Sequence, residues 1–255
     1  MDIPSSSTAS KNRRAEFVSL VVPAYNEEKR LGVTLQKIHA WMSDNFERFE
    51  VTVVDDGSTD RTADIVSEFS ENAPEVELLS LRENSGKGYA VRSGMMSAEG
   101  DYVIFTDADL STPIEEVAKA LDLMKQGYDV VIGSRALPES DVQVHQNVLR
   151  ETMGKTFNLI VRMLSGLPFP DTQCGFKCFT QKAAKDIFSR SVISGFAFDV
   201  EALVLAKKLG FRATDMPIRW INSPASKVKM FSSPLQMLAE VCKVRLNLMR
   251  GRYET

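Results

Sequence analysis

The feature that most constrains this chain is a regular alternation of short apolar runs with helix-patterned segments over residues 17–132. The apolar runs predict strands at 17–23, 49–54, 76–81, 102–106 and 129–132. Helices are predicted between them at 28–45, 61–69, 88–97 and 114–126. Strands and helices that alternate in this way form βαβ units, in which helices cover both faces of a largely parallel sheet. The sequence therefore predicts an α/β fold of Rossmann-like type.

The pattern changes after Arg135, where we expect the alternation to stop. Two helices are predicted in this second half, Val148–Leu164 and Leu235–Met249. There is no internal repeat and no sign of a second core. We expect a mobile polar tail at 1–15 and a single domain at 16–255, with a sheet-forming half (16–135) and a helical C-terminal half (136–255).

Composition restricts the class of protein further. A chain of 255 residues with 44% apolar and 25% charged side chains can bury a core without stabilising cross-links such as disulfide bonds. Its three cysteines cannot all pair with one another, which favours a reduced, intracellular setting. No apolar stretch approaches the roughly 20 residues of a membrane span. We therefore expect a soluble protein that faces the cytosol.

Charge is distributed unevenly along the chain. From Leu205 onwards, ten basic residues stand against three acidic ones, so this segment carries +7 and the remainder −10. A basic end favours contact with phosphates or an anionic membrane surface. A helix with a solvated face explains the same charges equally well.

Polar residues follow four of the predicted strands, at the carboxyl ends where a parallel sheet binds its ligands. Two carboxylates follow the fourth strand in Asp107-Ala108-Asp109. Oxygen ligands of this kind suit Mg²⁺ or Mn²⁺ together with substrate phosphates. The alternative is an ordinary turn in which one aspartate caps the next helix.

The other polar loops carry weaker signals. Asp55-Asp56-Gly57-Ser58 could accept hydrogen bonds from a base or a ribose, or could be a turn that needs Gly57. Arg82 and the loop Ser85–Gly88 could approach a phosphate through backbone N–H groups, although plain turn glycines are the more common explanation. Arg135 could grip a carboxylate or a diphosphate at two points.

Several other chemistries are excluded by spacing. The GxxxxGK[ST] pattern of a P-loop is absent. Cys174 and Cys178 have no matching His or Cys pair for zinc. A Ser/His/Asp hydrolase lacks G-x-S-x-G, and His39 and His145 lie in a predicted helix and a loop.

Taken in order, five segments resemble the family 2 glycosyltransferases of the GT-A fold: VSLVVPAYNEE, VVDDGSTDRT, NSGKGYAVRSG, GDYVIFTDADLSTP and VVIGSRA. Four later features are similar to the polyprenyl-phosphate branch, most of all its dolichyl-phosphate β-glucosyltransferase type: DTQCGFKCFT, FAFDVEAL, Pro217–Trp220 and Ser226-Lys227. The resemblance covers residues 17–235. Each motif alone is weak, but their ordered set is specific.

The resemblance implies a UDP-sugar or GDP-sugar donor, Mg²⁺ or Mn²⁺ as cofactor, and a polyprenyl (dolichyl-type) phosphate acceptor. It implies no nucleic acid partner. It also implies action at the cytosolic face of a membrane, the endoplasmic reticulum in a eukaryote or the plasma membrane in a prokaryote. Relatives often carry a transmembrane anchor, which we do not find here, so surface association must come from elsewhere.

Site residues follow from the same resemblance. Asp107 and Asp109 would hold the metal, and Asp109, Arg135 and Asp171 would be the catalytic residues. Ser111 stands where mannosyl-transferring relatives often carry Gln, which favours a glucosyl-type site. The nucleotide-sugar would contact Pro23, Ala24, Tyr25, Glu27, Asp55, Lys87, Asp107, Ala108, Arg135 and Lys227.

Three questions stay open at the level of sequence. Asp171 could orient the acceptor or the sugar, or it could remove a proton. The acceptor could be a water-soluble alcohol or sugar, and a nucleotide-sugar binding module without turnover is a further alternative. The two late helices, with basic residues including Arg150, Lys155, Arg162, Lys243 and Arg250, could lie on a membrane or simply pack on the sheet.

Overall fold

A computed structural model of the chain describes residues 14–143, 148–221 and 232–254. The expected tail (1–15) lies outside the described residues except for Arg14 and Ala15, which already belong to the first strand. The strands are β1 (Arg14–Ala24), β2 (Phe46–Asp55), β3 (Val76–Ser80), β4 (Tyr102–Thr106), β5 (Val130–Ser134), β6 (Asp141–Val142), β7 (Phe176–Thr180), β8 (Ala213–Pro217) and β9 (Arg219–Trp220).

Helices connect most of these strands. They are α1 (Leu31–Asn45), α2 (Thr62–Ser70), α3 (Lys87–Ser97), α4 (Glu116–Met124), α5 (Val148–Ser165), α6 (Gln181–Phe188), α7 (Phe198–Lys208) and α8 (Ser232–Met249). No helix in the described ranges is long and apolar enough to cross a membrane.

Seven strands form one sheet in the order β3-β2-β1-β4-β7-β5-β8. All neighbouring pairs are parallel except those of β7, which runs antiparallel to both β4 and β5. The carboxyl ends of β1, β2, β4 and β5 consequently meet at one edge. This arrangement confirms the predicted α/β fold with a mostly parallel sheet.

The sheet has a packed core on each face, because side chains alternate along its strands. Val21, Val54 and Phe105 point to one face, where they meet residues of α3, α6 and α7. Leu20 and Val53 point to the other face, where α1 and α4 cover them. Strands buried on both faces read as continuous apolar runs, which is why β1, β2, β4 and β5 were predictable. β3, at the edge of the sheet, is only partly buried.

The second half departs from the prediction. We expected the alternation of strands and helices to stop after Arg135, but β7 and β8 join the same sheet, and α6 and α7 lie between them. The sequence analysis did not predict β7, because the charged residue Lys177 interrupts its apolar run. Lys177 is nevertheless fully buried. Because β7 and β8 belong to the sheet of β1–β5, both halves of the chain share one sheet.

The two predicted late helices are present and contact each other. In α5, Val161 is buried and Phe157 and Leu164 are partly buried against the core. The outer side of α5 exposes Leu159, Ile160 and Met163.

The last helix is arranged in the same way. Val241 and Val244 are buried, whereas Leu235, Leu246 and Met249 are exposed. Each of the two helices therefore packs on the core and also presents apolar side chains outward.

Gly94 in α3 gives a direct test of this packing. A Cβ atom there would lie 2.4 Å from Val21 Cγ1 and 2.8 Å from Val54 Cγ2, inside the core. We expect Gly94→Ala to lower the free energy of unfolding by about 1–3 kcal/mol, because both valines are held by the sheet. Urea denaturation monitored by circular dichroism measures this change.

Gly32 in α1 is the matched control. The nearest atom to a Cβ there is Ile65 Cγ2 at 3.7 Å, an ordinary contact. Gly32→Ala should leave stability unchanged or raise it by up to about 1 kcal/mol, since alanine is the better helix former. Equal effects of the two substitutions would contradict the close packing of α3 on β1 and β2.

Candidate active site

The loops that follow β1 and β2 are tied together at the edge of the sheet. The N–H of Asp56 donates to the carbonyl of Ala24 (2.9 Å). The N–H of Asn26 donates to Ser58 Oγ (2.8 Å), and that of Glu27 donates to Thr62 Oγ1 (2.7 Å). These bonds fix the chain around Asn26, whose φ of 54° is unusual for a residue other than glycine.

The expected nucleoside pocket lies along this loop. Ala24 is buried, Pro23 and Glu27 are half-buried, and Tyr25 is exposed. The carboxylate of Glu27 pairs with Arg30, with 2.6 Å between Oε2 and Nε. The loop thus offers a backbone fixed by hydrogen bonds beside an exposed aromatic ring.

The two aspartates at the end of β2, Asp55 within the strand and Asp56 just after it, are buried and have different partners. Asp55 Oδ1 accepts the N–H of Ser58 (3.1 Å), which closes the turn through Gly57 (φ 67°). Asp56 accepts the N–H groups of Ser85 (2.7 Å) and Gly86 (2.9 Å). Burial raises the pKa of Asp56, and these two bonds oppose that shift. Asp56 therefore holds the loop before α3.

The backbone N–H groups of the loop Ser85–Gly88 could, from the sequence, bind a phosphate or belong to a plain turn, and their partners favour the turn. Those of Ser85 and Gly86 are taken by Asp56, and those of Gly88 and Tyr89 donate to the carbonyl of Ser194 (2.8 and 3.3 Å). The group at the start of α3 that does reach the rim is the side chain of Lys87.

Two carboxylates follow β4, as predicted, and both face cations. Lys87 Nζ lies 2.6 Å from Asp107 Oδ1, and Arg30 Nη1 lies 3.9 Å from Asp109 Oδ2. The side chains of Asp107 and Asp109 are 34% and 21% exposed, so both can meet a ligand.

A tight turn sets the direction of the second carboxylate. Leu110 has a φ of 46°, and the N–H of Ser111 donates to Asp109 Oδ1 (2.9 Å). Ala108 is buried between the two acids and its carbonyl accepts the hydroxyl of Thr34 (2.8 Å). The Asp-Ala-Asp segment is therefore a turn that also carries two partly exposed acids.

These two residues fit a divalent cation. Their ligand atoms are carboxylate oxygens, and the side-chain cations of Lys87 and Arg30 now stand against them. No group of three or more His, Cys, Asp or Glu suited to a metal occurs in the described ranges. A site with two carboxylates suits Mg²⁺ or Mn²⁺, which complete their coordination with substrate phosphates and water.

Arg135, the first residue after β5, is held by Asp171. Its Nε and Nη2 atoms donate to the two carboxylate oxygens at 2.7 and 2.9 Å, and its own N–H adds a third bond at 3.1 Å. Asp171 is 1% exposed, whereas a third of the Arg135 side chain is accessible. The acid is thus an internal support, and the guanidinium lies at the rim.

Electrostatics agree with this geometry. Burial alone would raise the pKa of Asp171, but the charge and hydrogen bonds of Arg135 outweigh it and hold the pKa below its ordinary value. Burial would likewise lower the pKa of Arg135, and Asp171 raises it instead. Both groups are charged at neutral pH.

A second ion pair lies in the core beneath the rim. The ammonium of Lys177 on β7 donates to the carboxylate of Asp199 on α7 and to the carbonyl of Cys174 (2.8 Å). Lys177 is fully buried and Asp199 is 4% exposed. Burial raises the pKa of Asp199, against the effect of Lys177 and Lys87.

Arg30, Lys177 and Asp199 are site-associated residues that the sequence analysis missed. Arg30 carried no signal beyond its place at the start of a helix. A lysine inside an apolar run and an aspartate in the first turn of an apolar helix were the available signals for the buried pair. Lys227 and its neighbour Ser226, expected from the resemblance, lie outside the described residues.

Comparison with known proteins identifies this architecture. The family model for glycosyl transferase family 2 matches residues 19–188. Curated relatives named dolichyl-phosphate beta-glucosyltransferase include proteins from Dictyostelium discoideum (34% identity), Drosophila melanogaster (36%) and Homo sapiens (34%). Each alignment covers 92% of this chain and 76–77% of the relative.

Solved structures share the fold. Glucosyl-3-phosphoglycerate synthase from Mycobacterium tuberculosis, in complex with UDP, has a TM-score of 0.65 at 18% identity over 90% of this chain and 80% of that one. Mannosyl-3-phosphoglycerate synthase from Rubrobacter xylanophilus has a TM-score of 0.65 at 23% identity over 93% and 75%. A further complex of the mycobacterial enzyme contains Mn²⁺ and UDP. The predicted GT-A fold and family resemblance are confirmed: this chain belongs to glycosyl transferase family 2.

Proposed function

We propose that this chain transfers glucose from UDP-glucose to a polyprenyl phosphate of dolichyl type, with inversion at the anomeric carbon. The names of relatives that align over 92% of the chain support the donor sugar and the acceptor class. The observation that carries the proposal is that the partly exposed acids Asp107 and Asp109 and the guanidinium of Arg135 lie at the same edge of the sheet. These are the groups that a departing nucleoside diphosphate needs.

In this proposal each loop has a separate task. The loop Pro23–Glu27 and Asp55 bind the nucleoside. Asp107 and Asp109 hold Mg²⁺ or Mn²⁺, which supplies Lewis-acid stabilisation of the diphosphate. Arg135 donates to the diphosphate as negative charge grows on it, in an orientation fixed beforehand by Asp171. Fixed charges of this kind are commonly the largest contribution to catalysis.

The acceptor needs little help from a base. The second pKa of a phosphate monoester is near 6, so a polyprenyl phosphate is mostly dianionic at neutral pH. Asp171 has both carboxylate oxygens on Arg135 and a lowered pKa, which makes it a poor proton acceptor. We therefore assign Asp171 to positioning Arg135. A single displacement then converts the α-linked donor into a β-linked product.

We also propose that the outer sides of α5 and α8 contact the membrane surface. Met163 and Leu235 are 76% and 73% exposed, and further apolar side chains lie near them on each helix. Lys243, Arg245 and Arg250 are exposed on or just after α8. Exposed apolar residues beside basic ones are typical of helices that lie in a lipid interface. The active site would then work at the cytosolic surface of the membrane.

A transfer assay tests the reaction. Incubation with a panel of UDP-sugars and GDP-sugars and a polyprenyl phosphate should give a glucosyl product from UDP-glucose, and EDTA should abolish it. Asp109→Asn should reduce turnover by about 10²-fold or more, because the variant can keep the Ser111 hydrogen bond but loses the charge.

Asp64→Asn is the control for this variant, since it removes an exposed carboxylate in α2. Its turnover should equal that of the wild type. Transfer only to a water-soluble acceptor, or stabilisation by UDP-glucose without any transfer, would contradict the proposed function.

Arg135→Lys tests the two-point grip. Lysine keeps the charge but replaces the planar guanidinium with a single ammonium. It therefore cannot reproduce the paired hydrogen bonds to both oxygens of Asp171, nor present the same N–H donors at the rim. We expect kcat to fall by about 10²–10³-fold. Arg212→Lys, in a contact with the ring of Tyr128, is the matched control and should be near normal. Near-normal kinetics of Arg135→Lys would show that Arg135 is only structural.

Asp171→Asn should change the pH dependence of stability. The folded-state pKa of Asp171 is lowered, so its stabilisation is complete above the unfolded pKa of about 3.9 and is lost as pH falls towards the folded value. Urea denaturation between pH 5 and 2.5 should show a shallower decline for the variant. Identical slopes would argue against the ion pair as a source of stability.

Flotation with vesicles tests the surface. Lys243→Glu/Arg250→Glu should weaken binding to anionic vesicles by about tenfold or more, because each basic residue near such a surface contributes about 1 kcal/mol. Arg61→Glu/Lys182→Glu reverses two exposed charges elsewhere and should bind normally. Binding that ignores both salt and the first double variant would contradict the surface assignment.

A further inference from the structure

The positive charge of Lys87 lies beside the carboxylate that is proposed to bind a metal ion, and so repels that ion. Its Nζ atom is 2.6 Å from Asp107 Oδ1, one of the two carboxylates proposed to hold the divalent cation. A metal ligated by that carboxylate would stand about 2.1 Å from its oxygen, and so close to the ammonium. The two cations compete for this oxygen, and a metal that takes it displaces Lys87.

A second carboxylate, that of Asp199, lies on the helix that packs against the start of α3 and interacts electrostatically with Lys87. The first turn of α3 packs against the first turn of α7, since the Gly88 N–H donates to Ser194 and Lys87 Nζ lies 5.8 Å from the centre of the Phe198 ring. Asp199 follows Phe198 in the chain. Burial alone would lower the pKa of Lys87, but Asp107 and then Asp199 outweigh it and raise the pKa.

Asp199 has an ion-pair partner of its own besides Lys87. Its carboxylate is held by Lys177, which is buried in the centre of the sheet. Lys177 in turn lies on β7, between the strand that leads to Asp107 and the strand that leads to Arg135. The buried pair is therefore a fixed feature beside a lysine whose side chain is 27% exposed.

We propose that Asp199 is a positioning residue that receives the Lys87 ammonium when a divalent cation binds to Asp107. Lys87 neutralises Asp107 in the metal-free protein and turns towards Asp199 when the metal arrives. There it remains within the site, where it can contact the donor diphosphate. This inference rests on the proposed function, which assigns the metal to Asp107 and Asp109.

Binding of Mn²⁺ alone to the full chain, measured by electron paramagnetic resonance of free Mn²⁺, tests the exchange without turnover. Lys87→Met should bind Mn²⁺ about tenfold more tightly, since the competing ammonium is gone. Asp199→Asn should bind Mn²⁺ several-fold more weakly, because Asp107 is then the one carboxylate left in this proposal to pair with Lys87. In the Lys87→Met background, Asp199→Asn should have almost no further effect.

Two further variants make the test decisive. Lys177→Met/Asp199→Asn removes one charge of each sign, avoids an unpaired buried lysine, and should also weaken Mn²⁺ binding. Asp186→Asn, which removes an acid paired with Lys182 on α6, should bind Mn²⁺ as the wild type does.

The possible failures can be told apart. An equal loss from Asp199→Asn with and without Lys87 would overturn the exchange, because Asp199 would then act on Mn²⁺ only through its charge. Unchanged affinity in Lys87→Met would overturn it as well. A wild-type chain that binds no Mn²⁺, with or without UDP, would overturn both this inference and the metal assignment of the proposed function.

Discussion

Two like charges at the end of one buried strand are the constraint on which the rest of the site depends. Asp107 and Asp109 stand two residues apart after β4, and each faces a cation. Lys87 comes from α3 and Arg30 from the start of α1, so two separate βα connections supply the compensation. The acids thereby determine which loops must approach the rim of the sheet.

The antiparallel strand β7 joins the two halves of the site. It lies between β4 and β5, and the segment before it carries Asp171, which supports Arg135. The N–H of Asp107 also donates to the carbonyl of Gly175 (3.2 Å), so the same segment contacts the acidic side of the rim. Lys177, within the strand, forms an ion pair with Asp199 of α7. The acidic and the basic sides of the rim therefore depend on one short piece of chain.

The sequence predicted much of this architecture and missed part of it for identifiable reasons. Strands β1, β2, β4 and β5 were predictable because doubly buried parallel strands are continuous apolar runs, and the acids after β4 follow such a run directly. β7 was missed because a charged residue normally marks an exposed position, and nothing local reveals that Asp199 neutralises Lys177 in the core. For the loop before α3 the sequence left two interpretations open, a phosphate site and the more common plain turn. Its N–H groups suggested a phosphate site, yet their acceptors, Asp56 and Ser194, are distant in sequence.

The central claim is that Asp107 and Asp109 hold a divalent cation against a nucleoside diphosphate. Crystals grown with MnCl₂ and UDP, with diffraction recorded at the manganese absorption edge, test it most directly. The account predicts one strong anomalous peak within bonding distance of at least one of these two carboxylates, with Lys87 displaced from Asp107. UDP bound on the rim without an anomalous peak at these carboxylates would contradict it.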